Sequence, residues 1–394
     1  MKDFLFIVVI LFVIAATFSD DIVFTILYLL TGTYIFSRLW SARSIVGVRY
    51  IRSFPNRVFH GEDVPVRLEL TNKGVLPILW LRLQESVPTE LAPAMPLKQV
   101  ISLGPRGRAH FDYVMKARKR GYYTVGPMFA STGDLFGLGG EQRTEGEADN
   151  LTVYPRIFYL TSLKIPSLSP MGTLRHHQPI FEDPSRTMGK RDYINGDSLR
   201  RVDWKATAAT GRLQVKQFEP SMALTSAIFL NLNEEEFGRY ARIDSVELAI
   251  VVAASLANWM VAKKQTVGLI TNGVDPLANK QPFNPLLPHK GRNHLMRILD
   301  ILARVQSVQQ GPFVSLLRDA PLHLTWGTTL ILITGQADEA LFDEIFRLRQ
   351  AGFSTVLVLV GHTPDVNDAK ARGQQFGFPV YHFRNELDLD VWRQ

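Results

Sequence analysis

The 394-residue sequence predicts a multidomain chain: an N-terminal transmembrane helical hairpin, then an antiparallel β-sandwich, then an α/β domain with a mostly parallel sheet. Three observations predict it. Residues Phe4 to Leu39 are almost wholly apolar, the region from about Val46 alternates apolar and polar residues, and the region after Phe218 alternates short apolar runs with amphipathic helices. A chain of this length is too long for one core and suits two or three domains.

In the first element, Phe4 to Phe18 is apolar apart from Thr17, Ser19-Asp20-Asp21 interrupts, and Ile22 to Leu39 resumes. One continuous helix would measure about 55 Å, against a hydrocarbon core of about 30 Å. It would also hold two aspartates at mid-membrane, at about 2.5–3.5 kcal/mol each. Two short spans with the aspartates at the far surface avoid both costs. Lys2 precedes the first span, and Arg38, Arg43, Arg49, Arg52 and Arg57 follow the second, with no acid between Arg38 and Glu62. The positive-inside rule therefore places both ends of the hairpin, and the bulk of the chain, on the cytoplasmic side of a cell (inner or plasma) membrane. Tyr34 and Trp40 serve as interfacial anchors and the arginines meet anionic headgroups. A cleaved signal peptide ending near Ser19 fits less well, because Asp3 offsets the single lysine and no small-x-small site precedes the aspartates. Val246 to Ala262 is apolar enough to be a span, but it lies between two strand-like runs and reads as a buried helix.

The second element has period two. Val64, Val66, Leu68 and Leu70 alternate with Pro65, Arg67 and Glu69; Leu79, Leu81 and Leu83 alternate with Trp80, Arg82 and Gln84; Phe111, Tyr113 and Met115 repeat the pattern. Turn signals fall at Asn72-Lys73-Gly74, Gly104-Pro105-Arg106-Gly107 and Arg120-Gly121. The glycine-dense stretch from Gly133 to Gly140 lacks the Lys-Ser/Thr pair of a phosphate loop and is expected to be a hairpin loop. Prolines at 155, 166 and 170 mark a linker, so the expected boundaries are a hairpin over 1–40, a sandwich over 46–158, a linker over 159–185, a distinctive segment over 186–220 and the α/β domain over 221–394.

In the third element, Ala227–Leu232, Thr266–Thr271, Thr329–Thr334 and Thr355–Gly361 are expected strands; Ser245–Gln265, Arg292–Val305 and Asp338–Gln350 are expected helices. Asp244 with Glu247 has the form of a capping pair, and Gly352 is placed to end the third helix. A ligand would sit at the carboxyl ends of such strands. The first runs into Asn231-Leu232-Asn233-Glu234-Glu235-Glu236, where Asn231 and Asn233 are weak candidates to hold Mg²⁺. Asn at a strand end also simply suits a turn.

Between the two soluble elements lies Arg191-Asp192-Tyr193-Ile194-Asn195-Gly196-Asp197-Ser198-Leu199-Arg200-Arg201-Val202-Asp203-Trp204-Lys205. From Arg186 to Lys216 there are eight basic residues and three aspartates. Interleaved signs predict an ion-pair lattice of Asp197, Arg200, Asp203 and Lys205 under a Trp204 lid, rather than a phosphate-binding stripe. No nucleic-acid partner is expected, and the chain's net +7 suits an anionic membrane face.

This stretch resembles the signature of the bacterial domain of unknown function 58 family, Tyr-x-x-Gly-Asp-x-x-Arg-x-Ile-Asp-Trp-Lys. Tyr193, Gly196, Asp197, Arg200, Asp203, Trp204 and Lys205 match it, with Val202 in the Ile place. Arg120-Gly121, Asp134-Leu135-Phe136-Gly137-Leu138 and Val153-Tyr154-Pro155-Arg156 extend the likeness along the chain. The resemblance implies a membrane-anchored protein whose C-terminal half is similar to a von Willebrand factor A domain. It also implies a MoxR-type AAA ATPase as partner, acting with this protein on an unknown client, and no established catalytic activity. A metal-binding A domain has Asp-x-Ser-x-Ser after its first strand; here the corresponding residues are Asn231, Asn233 and Glu235, which weakens the case for a metal.

Enzyme motifs are missing. There is no cysteine, no His-Glu-x-x-His and no Gly-x-Ser-x-Gly, and His176-His177 is the one adjacent histidine pair. No catalytic residue and no bound cofactor is expected. The leading expectation is a non-enzymatic membrane-anchored adaptor, its signature bracing the junction of the two soluble domains. A divalent-metal-dependent ligand-binding module and an envelope-processing enzyme are the alternatives.

Overall fold

The computed structural model describes residues 2–18, 21–91, 98–133, 141–160, 182–220, 225–238, 241–309, 311–363 and 366–390. It divides into two compact units: Met1–Arg156 with Leu302–Arg304, and Ile157–Ile301 with Val305–Gln394. The expected loop over 134–140, most of the expected linker and the His176-His177 pair lie outside the described residues.

In the first unit, α1 (Lys2–Phe18) packs against α2 (Asp21–Val46). Large apolar side chains cover their outer surface, among them Phe6, Phe12, Ile22, Tyr28, Leu29 and Phe36, each more than half exposed. Of the two, α2 is long and apolar enough to cross a membrane, with only 11% of its most apolar window buried. The sequence ends the hairpin at residue 40, whereas α2 continues to Val46. Its last turns carry Ser37, Ser41 and Ser44 on one face, all buried, and pack on β-strands described next. Small side chains at this spacing let the helix backbone approach the sheet closely.

Ten strands follow: β1 (Val48–Ser53), β2 (Arg57–Phe59), β3 (Asp63–Asn72), β4 (Ile78–Glu85), β5 (Lys98–Leu103), β6 (Arg108–Lys116), β7 (Gly121–Val125), β8 (Met128–Thr132), β9 (Gln142–Glu145) and β10 (Asp149–Tyr154). They form three sheets, ordered β1-β3-β6, β2-β10-β7 and β5-β4-β8-β9. The long strand β3 serves two cores. Leu68 and Leu70 pack with Leu81, Leu83 and Met128, while Val64 and Val66 pack with Met115, Leu151 and Val153. The expected all-antiparallel pairing is corrected at one place, since β10 pairs β2 in parallel. Leu79 is corrected as well. A register shift between Ile78 and Leu81 turns Ile78 into the core, at 1% exposed, and Leu79 out to 40%.

Arg52 does not reach headgroups as the sequence reading expected. Its side chain is fully buried, with Nε on Glu85 at 2.6 Å and Nη1 on Asp149 at 2.6 Å and on the Val125 carbonyl at 3.0 Å. The Tyr113 hydroxyl donates to the other Glu85 oxygen. Burial, and then the Glu85 carboxylate beside it, push the Tyr113 phenol far above its ordinary value. This cluster ties β1, β4, β6 and β10 across the layers. Glu85→Gln leaves the buried guanidinium with one partly exposed carboxylate, and is expected to cost about 3–5 kcal/mol, read as a lowered urea midpoint at unchanged slope.

The second unit opens with an antiparallel hairpin of β11 (Glu182–Asp192) and β12 (Gln214–Pro220), whose connection holds α3 (Trp204–Thr210). The α/β part comprises β13 (Thr225–Leu230), α4 (Arg242–Ala262), β14 (Thr266–Thr271), a small clasp of β15 (Val274–Asp275) and β16 (Gln281–Pro282), and β17 (Leu286–His289). It continues through α5 (Arg292–Arg304), α6 (Phe313–Arg318), α7 (Ala320–His323), β18 (Thr329–Thr334), α8 (Glu339–Gln350), β19 (Ser354–Val360), α9 (Val366–Phe376), β20 (Val380–Phe383) and α10 (Leu387–Asp390). The sheet order is β17-β14-β13-β18-β19-β20, parallel except for β17. Continuous apolar runs form β13, β18 and β19 because both faces are covered. Ala227, Phe229, Leu330, Leu332, Leu357 and Leu359 meet α6, α8 and α9 residues in one core. The helix α4 packs on β13, β14, β18 and β19 with 78% of its apolar window buried, so its hydropathy reflects a core position. Asp338 caps α8 through the Leu341 N–H, and Gly352 follows that helix at φ +90°. The expected Asp244–Glu247 cap is absent: α4 begins at Arg242, its N-cap Ala241 has no side-chain bond, and Asp244 sits in the first turn.

Candidate functional site

The parallel sheet has a switch point between β13 and β18, because the chain leaves β13 toward β14 on one side and later returns to β18 on the other. Loops diverge there, which makes it the expected ligand crevice. Asn231 follows β13, Asn272 follows β14 and Thr334 ends β18, and the structure brings all three together. The Asn231 amide nitrogen donates to Glu236 Oε2 at 2.7 Å and to Thr334 Oγ1 at 2.9 Å. Its oxygen accepts from the Asn233 N–H and from Asn272 Nδ2, each at 2.9 Å. Asn233 Nδ2 donates to Glu236 Oε1 at 3.0 Å, and the Phe313 N–H reaches the same oxygen at 3.0 Å.

Glu236 thus accepts from three N–H donors. The sequence reading aligned Glu235 with this site; Glu235 is exposed, and the short 3₁₀ turn Glu234–Glu236 brings Glu236 inward instead. Asn233 caps that turn by accepting from the Glu235 N–H. The crevice is closed over by its own chain. Phe237 is 3% exposed and lies against Gly335, where a Cβ would come within 2.4 Å of the ring. Among the described residues, no group of three or more His, Asp or Glu could hold a metal ion.

This arrangement makes a sharp expectation for Asn231→Asp. The change replaces two donors by a carboxylate facing Glu236, costing about 2–3 kcal/mol. The paired carboxylates should then recover stability on addition of Mg²⁺ or Mn²⁺, while the native protein's melting temperature stays fixed. Thermal melts with and without each ion read both effects.

The signature segment occupies the tip of the β11–β12 hairpin. The last ladder pair is Asp192 with Gln214, and residues 193–213 form the excursion between them. Two ion pairs give the tip its shape, but not the pairs the sequence reading expected. Asp197 takes a bidentate fork from Arg191 at 2.6 and 2.7 Å and also accepts from the Ile194 N–H. Asp203 bonds Lys190 at 2.9 Å and caps α3 through the Ala206 N–H. Hydrogen bonds from Arg191 and then Ile194 hold the Asp197 carboxyl below its usual range; Lys190 and then Ala206 do the same for Asp203. Gly196 and Gly211 turn the chain at φ +109° and +70°, conformations that suit glycine. Val202 and Val215 form a small buried bridge.

The remaining signature residues are displayed. Arg200 and Lys205 are exposed rather than paired with the aspartates, and Trp204, expected as a lid, is 67% exposed. Ile194 and Leu199 are 64% and 63% exposed beside it. Tyr193 is half-buried, its N–H on the Leu213 carbonyl. Asp197 and Asp203 therefore act as struts, and Arg200, Trp204 and Lys205 face outward.

Both aspartates have folded pKa values below the unfolded one of about 3.9. Their contribution is complete above that value and is lost as pH falls through the folded values. Hydrogen exchange at the Ile194 and Ala206 amides should accordingly accelerate, relative to the α/β core, on acidification below the usual carboxylate range. Lys190→Met should raise the pH at which the Ala206 amide is released.

Residues 189–321 match the family described as "Protein of unknown function DUF58", a span that holds the hairpin tip, β13, α4, β14, α5 and α6. The chain is similar to the uncharacterized protein YeaD of Bacillus subtilis (strain 168), at 22% identity over 317 residues, covering 79% of this chain and 75% of that protein. Among solved structures, it is similar to the CARDB domain of the PF1109 protein from Pyrococcus furiosus, at 12% identity and TM-score 0.20, over 27% of this chain and 86% of that one. Native alpha-2-macroglobulin from Escherichia coli gives 18% identity and TM-score 0.25, over 29% of this chain and 17% of that one. Structural scores this low establish no common fold. The family match covers the displayed tip together with the first part of the α/β sheet.

Proposed function

We propose that the protein is a membrane-anchored, non-enzymatic adaptor that presents a cytoplasmic A-like domain to a MoxR-type AAA ATPase and its client. In this reading α1 and α2 form a hairpin across the cell membrane, the three-sheet region is a β-sandwich, and both soluble units lie on the cytoplasmic side. The basic flank of the hairpin supports that orientation. The observation that carries the proposal is the division of labour in the signature tip. Its aspartates are spent on holding a rigid shape, while Trp204, Ile194, Leu199 and Arg200 stand in solvent. Exposed Trp and Arg on a preorganised scaffold are the residue types that anchor protein interfaces. The closed switch point supports an interaction role over ligand capture at the strand ends.

Purification from native membranes in mild detergent, with and without ATP, followed by mass spectrometry of co-eluting proteins, tests this reading. A AAA ATPase is expected to co-elute in a nucleotide-dependent way. Trp204→Ala and Arg200→Ala should leave stability within about 0.5 kcal/mol, as exposed positions do, and should abolish the co-elution. Undiminished co-elution from both variants would remove the tip as the interface. Solitary elution in both nucleotide states, repeated after cross-linking in membranes, would remove the adaptor reading.

A further inference from the structure

Within the first unit, α2 and the β-strands share one polar junction. Asn72, fully buried, sits at its centre. Its side-chain nitrogen donates to the Leu76 carbonyl at 2.8 Å and the Gly104 carbonyl at 3.1 Å, and its oxygen accepts from the Gly74 N–H at 2.9 Å. The Asn72 N–H binds the Gly107 carbonyl, and the Lys73 N–H binds the carbonyl of Gly47, just past the end of α2. Gly47 passes so near Gly74 that a Cβ would lie 2.8 Å from the Gly74 nitrogen. Higher on the helix, Trp40 Nε1 donates to the Pro77 carbonyl at 3.2 Å. The β3–β4 loop, the β5–β6 turn and the base of α2 are thus locked as one piece.

Resting on the reading of α2 as a membrane span, this junction fixes the depth of the two loops. The 26 residues of α2 run about 39 Å, some 9 Å more than the hydrocarbon core. With Asp21 at the far surface, the near boundary falls around Arg38 to Ser41, and Trp40 sits at headgroup level, where Trp is favoured. Pro77 is hydrogen-bonded to that tryptophan, so the loop that carries it lies beside the leaflet. The surface is suited to lipid. Val75 is 75% exposed and Leu79 40%, and Lys73, Arg106, Arg108 and Arg43 are exposed around them. Neither 73–80 nor 98–108 contains an acidic residue.

We infer that the Lys73–Leu79 loop and the Gly104–Gly107 turn form a second membrane contact, in which basic side chains meet anionic headgroups and Val75 enters the interfacial layer. One apolar side chain adds little affinity alone, and the basic residues add attraction to an anionic surface. The consequence is orientation: α2 tethers the β domain, and the loops set its tilt against the leaflet.

The chain has no cysteine, so single labels can be placed cleanly in the full-length protein. Val75→Cys, Tyr28→Cys on α2 and Val114→Cys on β6 would each carry an environment-sensitive nitrobenzoxadiazole fluorophore. Val114 is 47% exposed and six residues along β6 from Arg108, about 20 Å away. The protein is reconstituted into phosphatidylcholine vesicles with and without phosphatidylglycerol, and brominated acyl chains serve as quencher. The expected result is strong quenching at position 28, blue-shifted emission with partial quenching at 75 that increases with phosphatidylglycerol, and neither at 114. Adding Lys73→Glu and Arg106→Glu should return the signal at 75 to that at 114 without altering position 28. A label at 75 that matches 114 while 28 is quenched overturns the contact and leaves the span standing. A blue shift at 75 without bromine quenching means that protein covers the loop, which also overturns it. Failure of quenching at 28 removes the span reading, and the contact with it.

Discussion

The amide of Asn231 organises the strand ends of the α/β unit. At the switch point of the sheet, Glu236 turns inward and its charge must be answered. Asn231 and Asn233 answer it with N–H groups, and Asn231 uses its remaining capacity to tie β13 to β18 and to the residue after β14. All four of its hydrogen-bonding positions are taken, and the residue is fully buried. A cation would need oxygen ligands where these nitrogens stand. The contacts that would form the floor of an open crevice here tie the strand ends to one another.

The physics of the hairpin tip runs the other way. Its buried content is small, since Val202, bridged to Val215 of β12, is the buried apolar residue among residues 193–213. A tip with so little core keeps one shape only through directional bonds. The Arg191 fork on Asp197 and the double use of Asp203, as ion-pair partner and helix cap, provide them. Ion pairs at a partly exposed site are individually weak, so their value lies in geometry more than in stability. They hold Trp204 at the first position of α3, outward, where a large side chain gains nothing from the protein itself.

Much of the architecture was legible because it depends on local patterns. Period-two alternation marks β3, and uninterrupted Ile, Leu and Val mark strands covered on both faces, such as β18 and β19. What escaped depends on partners distant in sequence. Leu79 has the alternation of a core residue, and a bulge that no local pattern announces turns it out. Arg52 reads as a headgroup arginine until Glu85 and Asp149, 33 and 97 residues further on, are brought to it. In the signature, the types that form ion pairs were visible, but the hairpin register selects Lys190 and Arg191 rather than Arg200 and Lys205. Glu236 was missed in favour of Glu235 because a single 3₁₀ turn decides which of three consecutive glutamates faces inward.

These cases share a cause that also explains the base of α2. Hydropathy describes how much of a helix prefers lipid, and it falls away toward residue 40, after Ser37 and Arg38 begin the serines and arginines. The helix does not stop there, because Ser37, Ser41 and Ser44 are small enough for β-strands to pack closely against it. Continuation matters mechanically. A helix that ended at residue 40 would leave a flexible joint, whereas one whose last turns are packed and whose end is bonded to Lys73 passes its orientation directly to the sheets. The first unit is therefore better regarded as a single body with one apolar end than as an anchor followed by a domain. Any partner that binds it meets strands whose orientation to α2 is already set.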